Sequence, residues 1–445
     1  MKVPRIGNFR IPARLTQRWR ARLRAQRRWW RARWRQSSGG EVLFPPVGGG
    51  VVAVETLAAG AAPAGARIAI LHATAGSGHK RAAQALAAAI SAQSPSATVR
   101  EVDTLVFASR LYRGTYATSY NAMAARAPRL WGALYHSWAI APINRSTAPV
   151  RLALDRMNLR RLVRVLERES PDAVVCTHFL PVEALSPIRG RGRLPVPLYC
   201  VITDFTAHPF WAFPHVDWYF VASDRVATEL EGHGVSRERI VVTGIPVDPK
   251  FEQRLGREAA RARLDLDPGR PVVLVMGGGG GVGPLVELAS ALAALAQQPI
   301  VVVVCGTNAG LKHEVEQIAA ARAGRVRALG FTDEVDVLLE ACDVVVGKAG
   351  GLTCAEALVK RVPLVVFRPT PGQEARNADY LVGGGAAVHA ESIADVLTTT
   401  ARWLSDTEAR GRAREAAGRL AQPHAAERIA RHVLESMVIA ASRSA

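Results

Sequence analysis

From about residue 67 to residue 390 the chain alternates short runs of Val and Ile with longer Ala, Leu and Arg stretches of helical period. The apolar runs are continuous rather than alternating, which is the pattern of strands buried on both faces in parallel sheets covered by helices. They predict strands over 68–72, 173–177, 198–203, 218–222 and 240–243 in a first half. A second half has runs over 272–276, 300–305, 326–329, 344–347 and 364–367. Gly244-Ile245-Pro246-Val247-Asp248-Pro249 closes the first set, and a charged stretch over 252–270, with Asp267-Pro268-Gly269, leads into the second. The expected organisation is a first α/β domain over 67–246, a hinge over 247–270 and a second α/β domain over 271–424. Three helical stretches follow residue 390, and the last, within 425–445, is free to cross back to the first domain. No internal repeat is evident.

Composition adds an uneven charge. The chain has 445 residues, 49% of them hydrophobic, enough to bury a core without disulfides. Lys and Arg number 57 against 38 Asp and Glu, a formal charge of +19. Residues 1–35 hold 13 of the basic residues and no acid, which leaves 44 basic against 38 acidic over the rest and excludes nucleic-acid binding by the body. On a helical projection of this basic extension, Leu15, Trp19, Leu23, Trp30 and Trp34 share one stripe with most arginines opposite, as in a helix lying in an anionic lipid interface. A solvated tail is the competing reading. Residues 36–66, rich in Gly, Ala and Pro, read as a linker.

Cys176, Cys200, Cys305, Cys342 and Cys354 lie in or beside apolar runs and outside any ligand spacing, so they read as reduced core thiols. No stretch resembles a membrane span or secretory signal, and the expectation is a chain that neither crosses a membrane nor is exported.

Both halves open alike: a buried strand runs into a glycine-rich turn and then a helix. The first is Ile70-Leu-His-Ala-Thr-Ala-Gly-Ser-Gly78-His79-Lys80, and the second is Leu274-Val-Met-Gly277-Gly278-Gly279-Gly-Gly-Val-Gly283. Such turns let backbone approach a ligand, and the helix N-terminus behind them favours phosphate. Neither fits GxxxxGK[ST], and no ribose-binding acid follows the second at dinucleotide spacing. A tight turn without ligand is the alternative, although six glycines exceed what a turn needs.

A further constellation runs from Asp343-Val-Val-Val-Gly-Lys348-Ala-Gly350-Gly351-Leu-Thr353-Cys-Ala-Glu356 to Pro371-Gly372-Gln373-Glu374-Ala-Arg-Asn377. It resembles the nucleotide-sugar site of inverting two-domain glycosyltransferases, in the family that contains monogalactosyldiacylglycerol synthase and bacterial diacylglycerol glucosyltransferases and, more distantly, the transferase that adds N-acetylglucosamine to lipid I. Gly76-Ser-Gly78-His79-Lys80-Arg81-Ala82 looks like its Gly-x-Gly-His loop. Tyr120-Asn121 with Pro128, Leu130, Trp131 and Tyr135, and Thr203-Asp204 with His208 and Trp211, resemble two further stretches. The first loop departs from the Gly-Gly-Gly of the plant galactosyl enzymes, which leaves glucose and galactose both open. The resemblance spans about residues 67–390 and implies a GT-B fold, two Rossmann-like domains with parallel sheets facing a central cleft.

It also implies the chemistry. His79 would be the base that takes the acceptor proton. Asp204 would orient His79 or take the proton itself, a strand-end capping Asp being the alternative, and His208 would touch substrate. The turns at Gly277, Gly278, Gly279 and Gly283 and at Gly350 and Gly351, with Thr353 and Lys348, would hold the diphosphate as fixed dipoles and charge, with no metal or other cofactor required. Asp265-Leu-Asp267 lies away from any glycine turn and reads as a loop. Glu356 would accept the ribose hydroxyls, Phe331 and Thr332 would flank the uracil, and Gln373, Glu374 and Asn377 would meet the sugar. On the acceptor side, Gly78, Tyr120, Asn121, Trp131, Tyr135, His208 and Trp211 are the candidates. Aromatic and basic residues interleave over 104–140, a mix suited to lipid headgroups, with helix core as the plainer reading.

The expected activity is hexose transfer from a UDP-sugar to diacylglycerol or a related lipid, by a peripheral protein on the cytoplasmic face of a membrane. N-acetylglucosamine transfer to a lipid-linked cell-envelope precursor and nucleotide binding without chemistry are the rivals.

Overall fold

A computed structural model of the protein describes residues 65–74, 76–114, 141–322 and 324–444. The basic extension, the linker after it and the candidates Tyr120, Asn121, Trp131 and Tyr135 lie outside the described residues.

The first half is a parallel sheet of six strands: β1 (Arg67–His72), β2 (Thr98–Asp103), β3 (Ala173–Cys176), β4 (Leu198–Val201), β5 (Trp218–Val221) and β6 (Ile240–Val242). Its helices are α1 (Ser77–Gln93), α2 (Ala141–Glu169), α3 (Phe179–Arg189) and α4 (Asp224–Gly232). The strand order is β2-β1-β3-β4-β5-β6, so the chain leaves β1 for one side and returns on the other, creating a switch point between β1 and β3.

The second half has α5 (Arg257–Arg263), β7 (Val272–Met276), α6 (Leu285–Leu292), β8 (Ile300–Val304), α7 (Ala309–Ala321) and β9 (Val326–Leu329). These are followed by α8 (Val335–Ala341), β10 (Val344–Gly347), α9 (Gly351–Val359), β11 (Leu364–Phe367), α10 (Gln373–Gly383) and β12 (Ala387–Ala390). The strand order β12-β11-β10-β7-β8-β9, all parallel, puts the second switch point between β7 and β10. Helices α11 (Ile393–Ser405), α12 (Thr407–Leu420) and α13 (Ala425–Ser444) end the chain.

Strands β2 and β12 were not foreseen. Both are edges: β2 carries Arg100, Glu101 and Asp103 on a half-exposed strand, and β12 is only Ala-Val-His-Ala, so neither shows the continuous apolar run of a central strand. The five cysteines are free and buried.

The stretch 247–270, expected as a hinge, contains helix α5, bound to the second half because Arg257 Nη1 and Arg261 Nη2 donate to the two oxygens of buried Asp343 at 2.5 and 2.9 Å. Helix α13 returns to the first half, where Ile429, Ala430, Val433 and Leu434 join Ile70, Leu86, Ile90 and Phe220 in one core. The chain therefore passes between the halves twice, and the passages touch. Gly244, with φ +90°, leaves only 2.4 Å between its missing Cβ and Gln422 Cβ, and His424 N donates to Glu252 Oε1 at 2.7 Å.

Candidate active site

The two switch points face each other. A Cβ placed on Gly78, at the start of α1, would lie 3.7 Å from Leu352 Cβ on α9, and one on Gly279 would lie 2.7 Å from Ser77 Oγ. Gly351 is tighter, since its missing Cβ falls 2.0 Å from the Thr203 carbonyl oxygen and 3.0 Å from Asp204 Oδ1. The glycine pair after β10 thus serves close approach of the halves at Gly351, while Gly350 beside it faces open space.

His79, two residues inside α1, is partly buried and held from behind. Its Nδ1 lies 2.9 Å from the Thr177 carbonyl oxygen and 2.9 Å from Thr203 Oγ1, and Thr177 Oγ1 donates to the His79 carbonyl at 2.9 Å. A carbonyl only accepts, so Nδ1 carries the proton and Nε2 keeps its lone pair. Burial, joined by a smaller effect of the nearby His72, lowers the imidazole pKa to about 4 against the opposing Thr177 bond, which keeps the ring neutral. The ring of His178, buried as the cap of α3, stands edge-on to that of His79 at 4.5 Å between centroids. Thr177 and His178 were not singled out from the sequence; they follow β3 as Gly76 to His79 follow β1, and that repeated position at a strand end is the available signal.

The orienting role expected of Asp204 is corrected: His79 Nδ1 faces Thr177 and Thr203, and Asp204 Oδ1 accepts from Asn377 Nδ2 at 2.9 Å. Burial raises its carboxyl to about 6 although the Asn377 bond opposes it. Asn377, expected at the sugar, is fully buried and committed elsewhere: Nδ2 also donates to the Ala349 carbonyl at 3.0 Å, and Oδ1 accepts from Phe205 N at 2.8 Å. It ties α10 to the loop after β4. Phe205 stacks on Tyr380 in the same junction at 5.0 Å, and Arg376 Nη2 donates to Glu229 Oε1 at 2.8 Å.

The turn after β7 directs carbonyls inward: Gly277 O accepts from Val282 N, Gly278 O from Gly281 N, and Gly279 O from Thr307 N, each at 3.0 Å. The loops after β7, β8 and β9 line up along the carboxyl edge of the sheet, where Gly306 (φ +59°) permits Gly279 O to approach within 2.3 Å of its missing Cβ. Gly283 closes the turn at φ +129°. Helices α1, α6, α9 and α10 start at Gly76, Pro284, Gly350 and Gly372 without a side-chain cap, which leaves N-terminal amides for an anion.

Glu356, on α9, is 2% exposed. Its Oε1 lies 3.6 Å from Arg81 Nη1 of α1, and its Oε2 is buried without a hydrogen-bond partner. Burial raises its pKa to about 7, opposed chiefly by Arg81. Lys348 Nζ donates to Glu374 Oε1 at 3.2 Å, and Glu374 Oε2 accepts from Thr370 N at 2.7 Å, so this lysine's charge is already met by a neighbour. Gln373 opens α10 beside Glu374, and Thr353 is half-buried in the first turn of α9. Phe331 is 63% exposed after β9, and the Thr332 hydroxyl accepts from Glu334 N at 3.1 Å.

His208 and Trp211 are corrections too. Both are buried. His208 Nδ1 accepts from Phe210 N at 3.3 Å, and Trp211 packs edge-on to Phe179 at 5.8 Å, with the His178 ring at 6.4 Å. Trp211 backs His178 and Phe179, and His208 caps the short helical turn Pro209–Trp211 with its ring against Phe210 at 4.2 Å, so both side chains are turned inward. Among the described residues one trio could ligate a metal, Glu252, His424 and Glu427, at the hinge rather than beside His79.

Residues 79–247 match the family described as monogalactosyldiacylglycerol (MGDG) synthase, and residues 256–420 match glycosyl transferases group 1. A processive diacylglycerol β-glucosyltransferase of Bacillus cytotoxicus is 32% identical over 277 residues, which cover 62% of this chain and 71% of that protein. The chain belongs to the diacylglycerol glycosyltransferase family. A second member, from Bacillus licheniformis with the same name, is 31% identical over 56% of this chain and 65% of its own length.

Among solved structures, Acinetobacter baumannii MurG superposes with a TM-score of 0.53 at 15% identity, over 83% of this chain and 99% of that one. S. aureus MnaA bound to UDP gives 0.54 at 15% identity, over 83% and 96%. Both carry the GT-B fold, as this chain does. Like other members of its family, it is a glycosyltransferase, and among the described residues no helix is long and apolar enough to cross a membrane.

Proposed function

We propose that this glycosyltransferase moves a hexose from a UDP-sugar to the hydroxyl of diacylglycerol or a related lipid, with inversion at the anomeric carbon. The observation that carries this reading is the contact of His79 Nδ1 with the Thr177 carbonyl, which leaves Nε2 as the basic nitrogen, at one switch point, opposite glycine turns at the other. The acceptor oxygen attacks the anomeric carbon, the bond from that carbon to the β-phosphate oxygen breaks, UDP leaves, and the hydroxyl proton passes to His79 Nε2.

Backbone amides at Gly277–Gly283 and at the start of α9 would meet the charge of the departing diphosphate, and Gln373 and Glu374 would face the sugar. Glu356 Oε2, buried and unpartnered, would accept from the ribose hydroxyls. Phe331 and Thr332 would flank the base. This reading gives no role to a divalent ion, so turnover should persist in chelator.

The acceptor reading draws on the names of the two Bacillus relatives and on an exposed apolar surface. Val106 and Leu111 are exposed on one segment, Leu154 and Met157 on α2, and Ser109 Oγ donates to Asn158 Oδ1 at 2.8 Å to join the two. With the basic extension, this surface supports peripheral docking on an anionic membrane. Five free thiols favour the cytoplasmic face.

The test is to incubate the full chain with radiolabelled UDP-glucose, UDP-galactose or UDP-N-acetylglucosamine and vesicles containing diacylglycerol. A β-hexosyl lipid formed from the first or second donor is the expected product. Transfer to no lipid from any donor rejects the reading, and transfer of N-acetylglucosamine alone would favour the cell-envelope alternative.

A further inference from the structure

We infer that Arg81 is a positioning residue that makes ribose recognition depend on closure of the two lobes, by holding the Glu356 carboxylate from the opposite side of the groove. This rests on the ribose role assigned to Glu356 above.

The two residues belong to different lobes. Arg81 is in the second turn of α1, Glu356 in the second turn of α9, and their side chains meet at 3.6 Å between Nη1 and Oε1. Gly78 and Leu352, one turn earlier on each helix, mark where the helices touch. The carboxylate is almost completely buried while the guanidinium keeps about a third of its exposure, so the arginine is the partner able to leave when the lobes part. A buried carboxylate that loses its nearest cation among the described residues takes up a proton rather than stay charged, and a protonated carboxyl is a poorer acceptor for two hydroxyls.

The other charged groups facing Glu356 do not replace Arg81. Lys250 also favours the charged form, but more weakly than Arg81, and is held by other partners: its Nζ donates to the Asp333 carbonyl at 2.6 Å and lies 4.0 Å from Asp336 Oδ1. Asp248 and Asp336 oppose ionisation. With Oε1 turned to Arg81, Oε2 is the oxygen left for the nucleotide. Closure therefore sets both the charge and the orientation of the ribose acceptor, which links donor binding to approach of His79 on the same helix as Arg81.

Calorimetry on the full chain with UDP and with 2′,3′-dideoxy-UDP, for wild type, Arg81→Gln and Arg81→Lys at neutral pH, tests this. Arg81→Gln is expected to weaken UDP roughly tenfold and the dideoxy nucleotide by less than about twofold, with Arg81→Lys recovering most of the affinity for UDP. Equal loss on both nucleotides overturns the inference, because Arg81 then acts on the diphosphate or on folding. So does the absence of any loss. Glu356→Gln, measured alongside, separates the layers: if it binds UDP as wild type does, the ribose role itself fails, whereas weakened UDP binding there beside an unaffected Arg81→Gln removes only the coupling.

Discussion

Thr203 Oγ1 lies 2.9 Å from His79 Nδ1, the nitrogen that also donates to the Thr177 carbonyl. Thr203 is the last residue before Asp204, so the loop after β4 fixes the ring in the first turn of α1. His79→Ala should lower turnover by about 10²- to 10⁴-fold and leave UDP affinity nearly unchanged. Thr203→Val keeps the shape and one of the two acceptors, and a loss of roughly tenfold in kcat at constant KM for donor is expected. Steady-state kinetics beside UDP calorimetry distinguish these, and unchanged turnover in His79→Ala would remove the base assignment.

Glu356 gives the protein a pH-dependent stability. Its pKa is raised by burial from 4.5 to about 7, so between those pH values the folded chain holds a proton there that the unfolded chain has released. The contribution is complete below pH 4.5 and is lost as pH rises through about 7. Glu356→Gln does not titrate, and wild type should therefore lose stability relative to it over that window, by up to roughly 3 kcal/mol, as read from urea unfolding at successive pH values. His79 acts oppositely: its lowered pKa means that stability falls as pH drops from 6.5 towards about 4.

Gly351 and Gly350 differ in what surrounds them. Alanine at 351 would put a methyl 2.0 Å from the Thr203 carbonyl oxygen, a backbone atom that cannot swing aside. Gly351→Ala should hold the lobes apart, reduce kcat/KM by at least about tenfold and expand the molecule in solution scattering. Gly350→Ala meets open space at an ordinary extended φ of −66°, and its melting temperature should match that of wild type.

Asn377 is fully buried and bonds Asp204, Phe205 and Ala349 together. Asn377→Ala strands the Asp204 carboxyl and the Phe205 amide in a buried junction, for an expected loss of about 2–4 kcal/mol in unfolding free energy. A shift of less than about 1 kcal/mol in denaturant midpoint experiments would mean that water replaces the amide.

Most central strands were legible because each is a continuous run such as Val272–Met276 or Leu364–Phe367, and such a run is buried on both faces wherever it falls in a parallel sheet. The glycine turns were legible too, since turn conformation is decided within a few residues. The edges β2 and β12 were not, for half-exposed strands need no such pattern. Trp211 and His208 misled, because an aromatic and an imidazole look the same in sequence whether they line a groove or back a wall.

By itself, then, the sequence determined two parallel sheets, the turn after each opening strand and the chemical kinds of residue beside them, all properties of short stretches of chain. Only the tertiary structure decided that His79 is held by residues 98 and 124 positions away, that Asp204 turns to Asn377, and that Arg81 meets Glu356. Parallel crossovers bring distant strand ends to one sheet edge, and which ends meet is fixed by strand order and the hinge, neither of which is a local property of the chain.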